Sequence, residues 1–255
     1  MRGLGWLVAG LIAAGITALS CMPASWLVPL IEQQTSGHLS LAEVDGSLWN
    51  GSAVVATSTS RDEPLTALVP GRLSWQISPS VLMGIVDIDL ANPSVTQEPI
   101  RIRGDWSDVE IGPGSLNLPA DGLSALGAPL NTLKPTGLMK VAWQSVGLKH
   151  RNEAWQITGK ITIDLMQVAS ALSPVKPLGS YRLQFDWFDR EARLNLQSLS
   201  GPLLIEGNGR LVDGRLKFNG QASAQAGFES KLNALLVLLG QRRNIDGRSV
   251  TVLEF

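Results

Sequence analysis

Apolar and polar residues alternate along most of this chain. Leu73, Trp75 and Ile77 alternate with Ser74, Gln76 and Ser78, and Val86, Ile88 and Leu90 with Asp87 and Asp89. Ile100-Arg-Ile-Arg resumes the rhythm, and the second half repeats it through Val141 and Trp143, Trp155 and Ile157, Ile161 and Ile163, Phe185 and Trp187, and Leu194 and Leu196. A two-residue period sends alternate side chains to opposite faces, so each segment reads as a strand with one apolar and one wet face. Glycine and proline recur between these segments, the punctuation of an antiparallel arrangement. Asn50-Gly51 and Asp213-Gly214 tolerate the positive φ of a type I′ turn and are assigned to hairpin turns, the second within residues 204–223. Residues 112–128 break the rhythm, with room for a strand and one helical turn. They mark the expected boundary of two halves, near residues 112–136.

Two stretches follow other patterns. Leu232, Leu235, Leu236 and Leu239 have the i, i+3, i+4, i+7 spacing of a helix face, with Ser230 placed to cap it and Gly240 to end it. Residues 249–255 then read as a last strand. At the other terminus, residues 3–31 contain no charged side chain, with Arg2 in front and Glu32 behind. Residues 3–22 supply the roughly 20 apolar residues with which a helix spans a bilayer. Leu4, Trp6, Leu7, Leu11, Ile12, Ile16 and Leu19 form this predicted anchor. Arg2 keeps the N-terminus cytoplasmic and the remainder exported. Pro23 closes the span, and residues 24–33 continue as a short interfacial helix with Trp26 at headgroup level.

A cleaved signal peptide is the competing reading, with Ala18-Leu19-Ser20 as the cleavage site. The apolar run exceeds the about 7–15 residues of a signal core, and another uncharged stretch, 24–31, follows it, which favours retention. Cys21 has Ala18 rather than leucine three places before it, against a lipidated cysteine. The expected organisation is an anchor unit over residues 1–32 and a mainly β domain over 33–255. The fold expected is antiparallel, a strongly curved sheet or a sandwich or half-barrel, with an N-terminal transmembrane helix and a short helix near the C-terminus.

Composition narrows the function. Charged residues make up 17% and the net charge is −1, so no basic field exists to hold nucleic acid. The one cysteine lies at the edge of the membrane segment, leaving the exported domain without a disulfide. His38 and His150 sit in no metal-ligand spacing or triad motif. Asp87 and Asp89 read as a solvated strand face rather than a carboxylate pair, and Lys149-His150-Arg151 as a solvated loop. Gly207-Asn-Gly209 begins like a dinucleotide fingerprint, but position 212 is valine and no strand-helix unit surrounds it, so it reads as a turn or bulge. No catalytic, metal or cofactor site is expected. Eight tryptophans stand against one tyrosine, and Trp75, Trp143, Trp155 and Trp187 fall on apolar strand faces. They fill a core, or they line a groove open to an acyl chain or a partner's apolar segment.

Several short motifs carry a resemblance: Pro23-Ala-Ser-Trp-Leu, then Gly46-Ser-Leu-Trp49-Asn-Gly51-Ser-Ala, then Leu73-Ser-Trp75. It continues through Pro177-Leu-Gly179-Ser-Tyr181, Leu199-Ser-Gly201-Pro202-Leu and Glu206-Gly-Asn-Gly. In this order, behind an N-terminal anchor, they resemble the N protein of the bacterial type II secretion system. The resemblance implies a single-pass inner-membrane protein with a periplasmic β domain, in contact with other secretion components and inner-membrane lipid. It brings no catalytic residues and no cofactor. The alternative is a periplasmic lipid-handling β groove.

Overall fold

The computed structural model describes residues 15, 17, 19–35, 39–57, 66–67, 69–126, 130–151, 154–212, 215–245 and 248–254. They divide into two compact units, Met1–Trp106 and Ser107–Phe255. Of the expected anchor residues, Leu4, Trp6, Leu7, Leu11, Ile12 and Ile16 lie outside the described residues; among those described, no helix is long and apolar enough to cross a membrane. His38 also lies outside them.

In the first unit a 3-10 turn, Ala24–Trp26, leads into α1 (Leu27–Gln34). Pro29 is tolerated there because the first helical turn has no use for the N–H it lacks. Leu27, Val28 and Ile31 of α1 pack on a core of Ala24, Leu41, Ala53 and Trp75. The strands are β1 (Leu39–Gly46), β2 (Asn50–Thr57), β3 (Thr66–Ala67), β4 (Leu73–Ile77), β5 (Ile85–Ala91) and β6 (Ile100–Asp105). All pair antiparallel in the order β1-β2-β4-β5-β6, with the short β3 also on β2. A bulge in β1 puts Glu43 at φ 48°, where Arg72 donates to its carbonyl at 2.6 Å and to the Asp45 carboxylate at 2.6 Å.

The second unit opens with β7 (Asp108–Ile111) and β8 (Gly114–Pro119), a 3-10 turn (Ala120–Leu126) and one helical turn (Leu130–Leu133). Two long strands follow, β9 (Pro135–Arg151) and β10 (Ala154–Ser170), then β11 (Gly179–Asp189), β12 (Glu191–Ser200), β13 (Leu203–Val212) and β14 (Arg215–Ala224). Helix α2 (Glu229–Leu239), β15 (Gln241–Ile245) and β16 (Arg248–Glu254) complete it. β7 and β8 pair end to end along β9, and the sheet runs on as β9-β10-β11-β12-β13-β14-β16-β15, open at its ends. Within the unit this is a single sheet rather than a two-sheet sandwich. Helix α2 seals part of it: Leu232, Leu235 and Leu236 pack with Leu194, Leu203, Phe218, Ala222 and Leu253.

Four local expectations are corrected. Asn50-Gly51 is not the turn but the start of β2, with Gly51 opposite Gly46. Leu48 and Trp49 make the turn instead, closed by Ser47 N–H donating to Asn50 O at 2.9 Å. Gly207-Asn-Gly209 is the middle of β13, fully paired on both sides. Ser230 does not cap α2; the helix begins after Phe228 without a side-chain cap, and the Glu229 carboxylate accepts from Gly227 N–H at 2.9 Å. Lys149-His150-Arg151 is the end of β9 and not a loop. Val212 pairs with Arg215, leaving room for the two-residue turn read at 213–214, although that pair itself lies outside the described residues.

Candidate interaction surfaces

The motif residues gather into two knots. In the first unit Gly51 stands opposite Trp75, and a Cβ at Gly51 would come within 2.5 Å of the indole. The missing side chain is therefore the seat of the ring, which explains a glycine inside a strand. Trp75 Nε1 donates to Leu48 O at 3.0 Å, Trp49 Nε1 to Leu19 O at 2.7 Å, and Leu48 N–H to Met22 O at 2.8 Å. Pro23 bridges to Ser47, and Gly46 turns the chain at φ 87°.

In the second unit Tyr181 donates its hydroxyl to Leu203 O at 3.0 Å, and Leu203 N–H donates to Leu178 O at 2.9 Å. Gly201, at φ 108°, leaves no space for a side chain against Gly179, and Pro202 O accepts from Gln225 N–H at 2.8 Å. Burial pushes the Tyr181 hydroxyl well above the usual phenol range, because the charged phenolate would lose its water. Both knots fasten neighbouring strands and turns to one another.

Strand register lines up a broad apolar face in the second unit. One row runs Gly114, Trp143, Ile161, Phe185, Leu194, Gly209 and Phe218 across the sheet. A second runs Leu116, Val141, Ile163, Leu183, Leu196 and Gly207. Around α2 these rows are covered, whereas Trp143, Ile161 and Ile163 are half-buried. Trp143 Nε1 donates to Gly112 O at 2.7 Å. Trp187, opposite Gly159, is half-buried and its Nε1 is buried with no hydrogen-bond partner. Trp155 lies at the rim, 49% exposed, with its ring 5.0 Å from that of His150. Trp75, by contrast, is core of the first unit.

The opposite face of the same strands is polar. Asn195, Asn208 and Asn219 form a ladder, with Asn195 Nδ2 donating to Asn208 Oδ1 at 3.0 Å. Beside it run Arg193, Arg210 and Lys217, and a shallow depression of about 840 Å³ is lined by Asn208, Arg210, Val212, Arg215, Lys217 and Asn219. Sequence reading missed this face because alternate polar residues look alike until register aligns them. In the first unit Asp87 and Asp89 both pair with Arg103, each at 2.8 Å, as a solvated face does. Among the described residues no three His, Cys, Asp or Glu side chains gather as a metal-ligand set.

Comparison with known proteins gives one finding. The family described as Type II secretion system (T2SS), protein N, matches residues 37–251, most of the chain. No curated protein and no solved structure matches it.

Proposed function

The chain belongs to the type II secretion system protein N family, and from that premise we propose that it serves type II secretion as a non-catalytic subunit anchored in the inner membrane. The match across residues 37–251 is the observation that carries the role in type II secretion. The proposed anchor is supported by the uncharged run over residues 3–31 and by the fastening of residues 19–22 to the β1–β2 hairpin. In this reading residues 3–22 cross the membrane once, the N-terminus is cytoplasmic, and the β units stand in the periplasm. Other secretion-system proteins of the inner membrane are its partners, met through sheet edges and exposed faces. The machine it serves moves folded proteins across the outer membrane.

Affinity capture of the full chain through a handle after Phe255, from gently solubilised membranes, tests the proposal. Recovery of inner-membrane secretion components is the expected result; their consistent absence overturns it.

One observation favours a second reading. The half-covered rows around Trp143 and Ile161, with the unpartnered indole N–H of Trp187 nearby, have the character of a groove for an acyl chain. Mass spectrometry of lipids in the same eluate decides it: a stoichiometric lipid supports the groove, and none removes it.

A further inference from the structure

Around the turn from β4 to β5 and the adjacent end of β6, four large apolar side chains are exposed. Leu82 is 53% exposed, Met83 83%, Ile85 55% and Trp106 65%. Leu82 and Met83 occupy the 3-10 turn Pro79–Met83 between β4 and β5, and Ile85 opens β5 opposite Asp105, the residue before Trp106. The turn is held at both ends: Ser78 Oγ accepts from Ser80 N–H at 3.3 Å, and Gly84, at φ 88°, ends it. Trp106 Nε1 donates to Val81 O at 2.9 Å, so the polar atom of this indole is satisfied within the protein while its ring faces outward. A tip with its hydrogen bonds made internally and its apolar groups turned out is built to meet an apolar medium.

The position of the tip identifies that medium. Ile77 N–H, just before the turn, donates to Trp49 O at 2.7 Å, and the indole of Trp49 in turn holds Leu19 O. The tip, the hairpin turn and the last residues of the apolar N-terminal segment are therefore neighbours through successive hydrogen bonds. Trp26, directly after that segment, is also exposed. Trp26, Trp49 and Trp106 thus sit at one end of the unit, the distribution that indoles take at a membrane–water interface.

We infer that this end of the first unit lies in the lipid surface, with Leu82, Met83, Ile85 and Trp106 inserted into the headgroup layer beside the anchor. The inference rests on the membrane anchor proposed above and adds a second contact to it. One attachment leaves a domain free to tilt, whereas two fix which face it turns to its partners.

The test uses the full chain reconstituted in vesicles of phosphatidylethanolamine and phosphatidylglycerol. Cys21→Ser removes the one native thiol, and an environment-sensitive fluorophore is placed in turn at Leu11→Cys, Leu82→Cys, Met83→Cys and Gln97→Cys. Gln97 is exposed in the segment between β5 and β6, at the other end of β5. Quenching by spin-labelled lipid is expected to be several-fold stronger at Leu82 and Met83 than at Gln97, with Leu11 also quenched. Quenching at Leu11 with Leu82 and Met83 matching Gln97 overturns the inference and leaves the anchor standing. No quenching at Leu11 overturns the anchor and the inference together. Unchanged thermal midpoints show that each labelled chain is folded.

Discussion

Glycines under aromatic rings are a recurring choice in this protein. Gly51 seats Trp75, Gly114 seats Trp143, and Phe218 lies across Gly207 and Gly220. At each of these strand positions a Cβ would come within 2.5–2.7 Å of a ring carbon. Gly51→Ala should therefore cost about 1–3 kcal/mol through overpacking, read as a lower urea midpoint by tryptophan fluorescence. Tyr181→Phe removes a hydroxyl and leaves the Leu203 carbonyl without that donor, an expected loss of about 1–3 kcal/mol on the same scale. The pH dependence has a definite sign. Because the folded pKa lies above the ordinary phenol value near 10, the neutral hydroxyl is favoured in the fold. Its contribution is complete below pH about 10 and declines as pH rises further toward the folded pKa. As the chain has one tyrosine, an absorbance titration should show no phenolate in the normal range while the protein stays folded. Ionisation near pH about 10 without unfolding would contradict this.

At the scale of elements, strands were legible because the two-residue rhythm survives in single segments such as Leu73–Ile77. What alternation does not encode is the neighbour. Asn50-Gly51 carries the turn chemistry of a hairpin, yet its glycine is required one step later to receive an indole from β4, and packing outweighs local turn preference. The same applies to Gly207 and Gly209, which read as a turn until Phe218 is placed beside them. Leu82, Met83 and Trp106 were equally illegible: they sit in a turn and just beyond a strand, where periodicity gives no side. The leucine stripe of α2 was legible, and it faces the sheet. Leu232 is 0% exposed, so Leu232→Ala should cost about 2–5 kcal/mol by leaving a cavity under the helix. Arg103→Ala, in contrast, breaks two exposed ion pairs and should change stability by no more than about 1 kcal/mol. Equilibrium unfolding of both variants measures the difference.

On the scale of the whole molecule, the family is shown by most of the chain at once, not by any one residue set. The motifs that suggested it are fasteners inside the two units, so substituting them is expected to lower stability first and secretion only as a consequence. Carbonate extraction of membranes gives the simplest check on the anchor: the full chain should sediment with the membrane, and its release into the soluble fraction would exclude a transmembrane segment.

Three hydrogen bonds, donated by Leu48 N–H to Met22 O, by the Trp49 indole to Leu19 O and by the Trp75 indole to Leu48 O, tie the end of the N-terminal segment to the first unit. The Leu19 and Met22 carbonyls, at the end of the N-terminal segment, accept from an indole and a backbone N–H of the folded unit. The junction is thus bonded to the hairpin turn and is not a free linker, although these bonds alone do not fix the tilt of the unit. A pull on the N-terminal segment should therefore reach Leu48 and Trp49 and, through the Leu48 carbonyl, the Trp75 indole in the first unit's core.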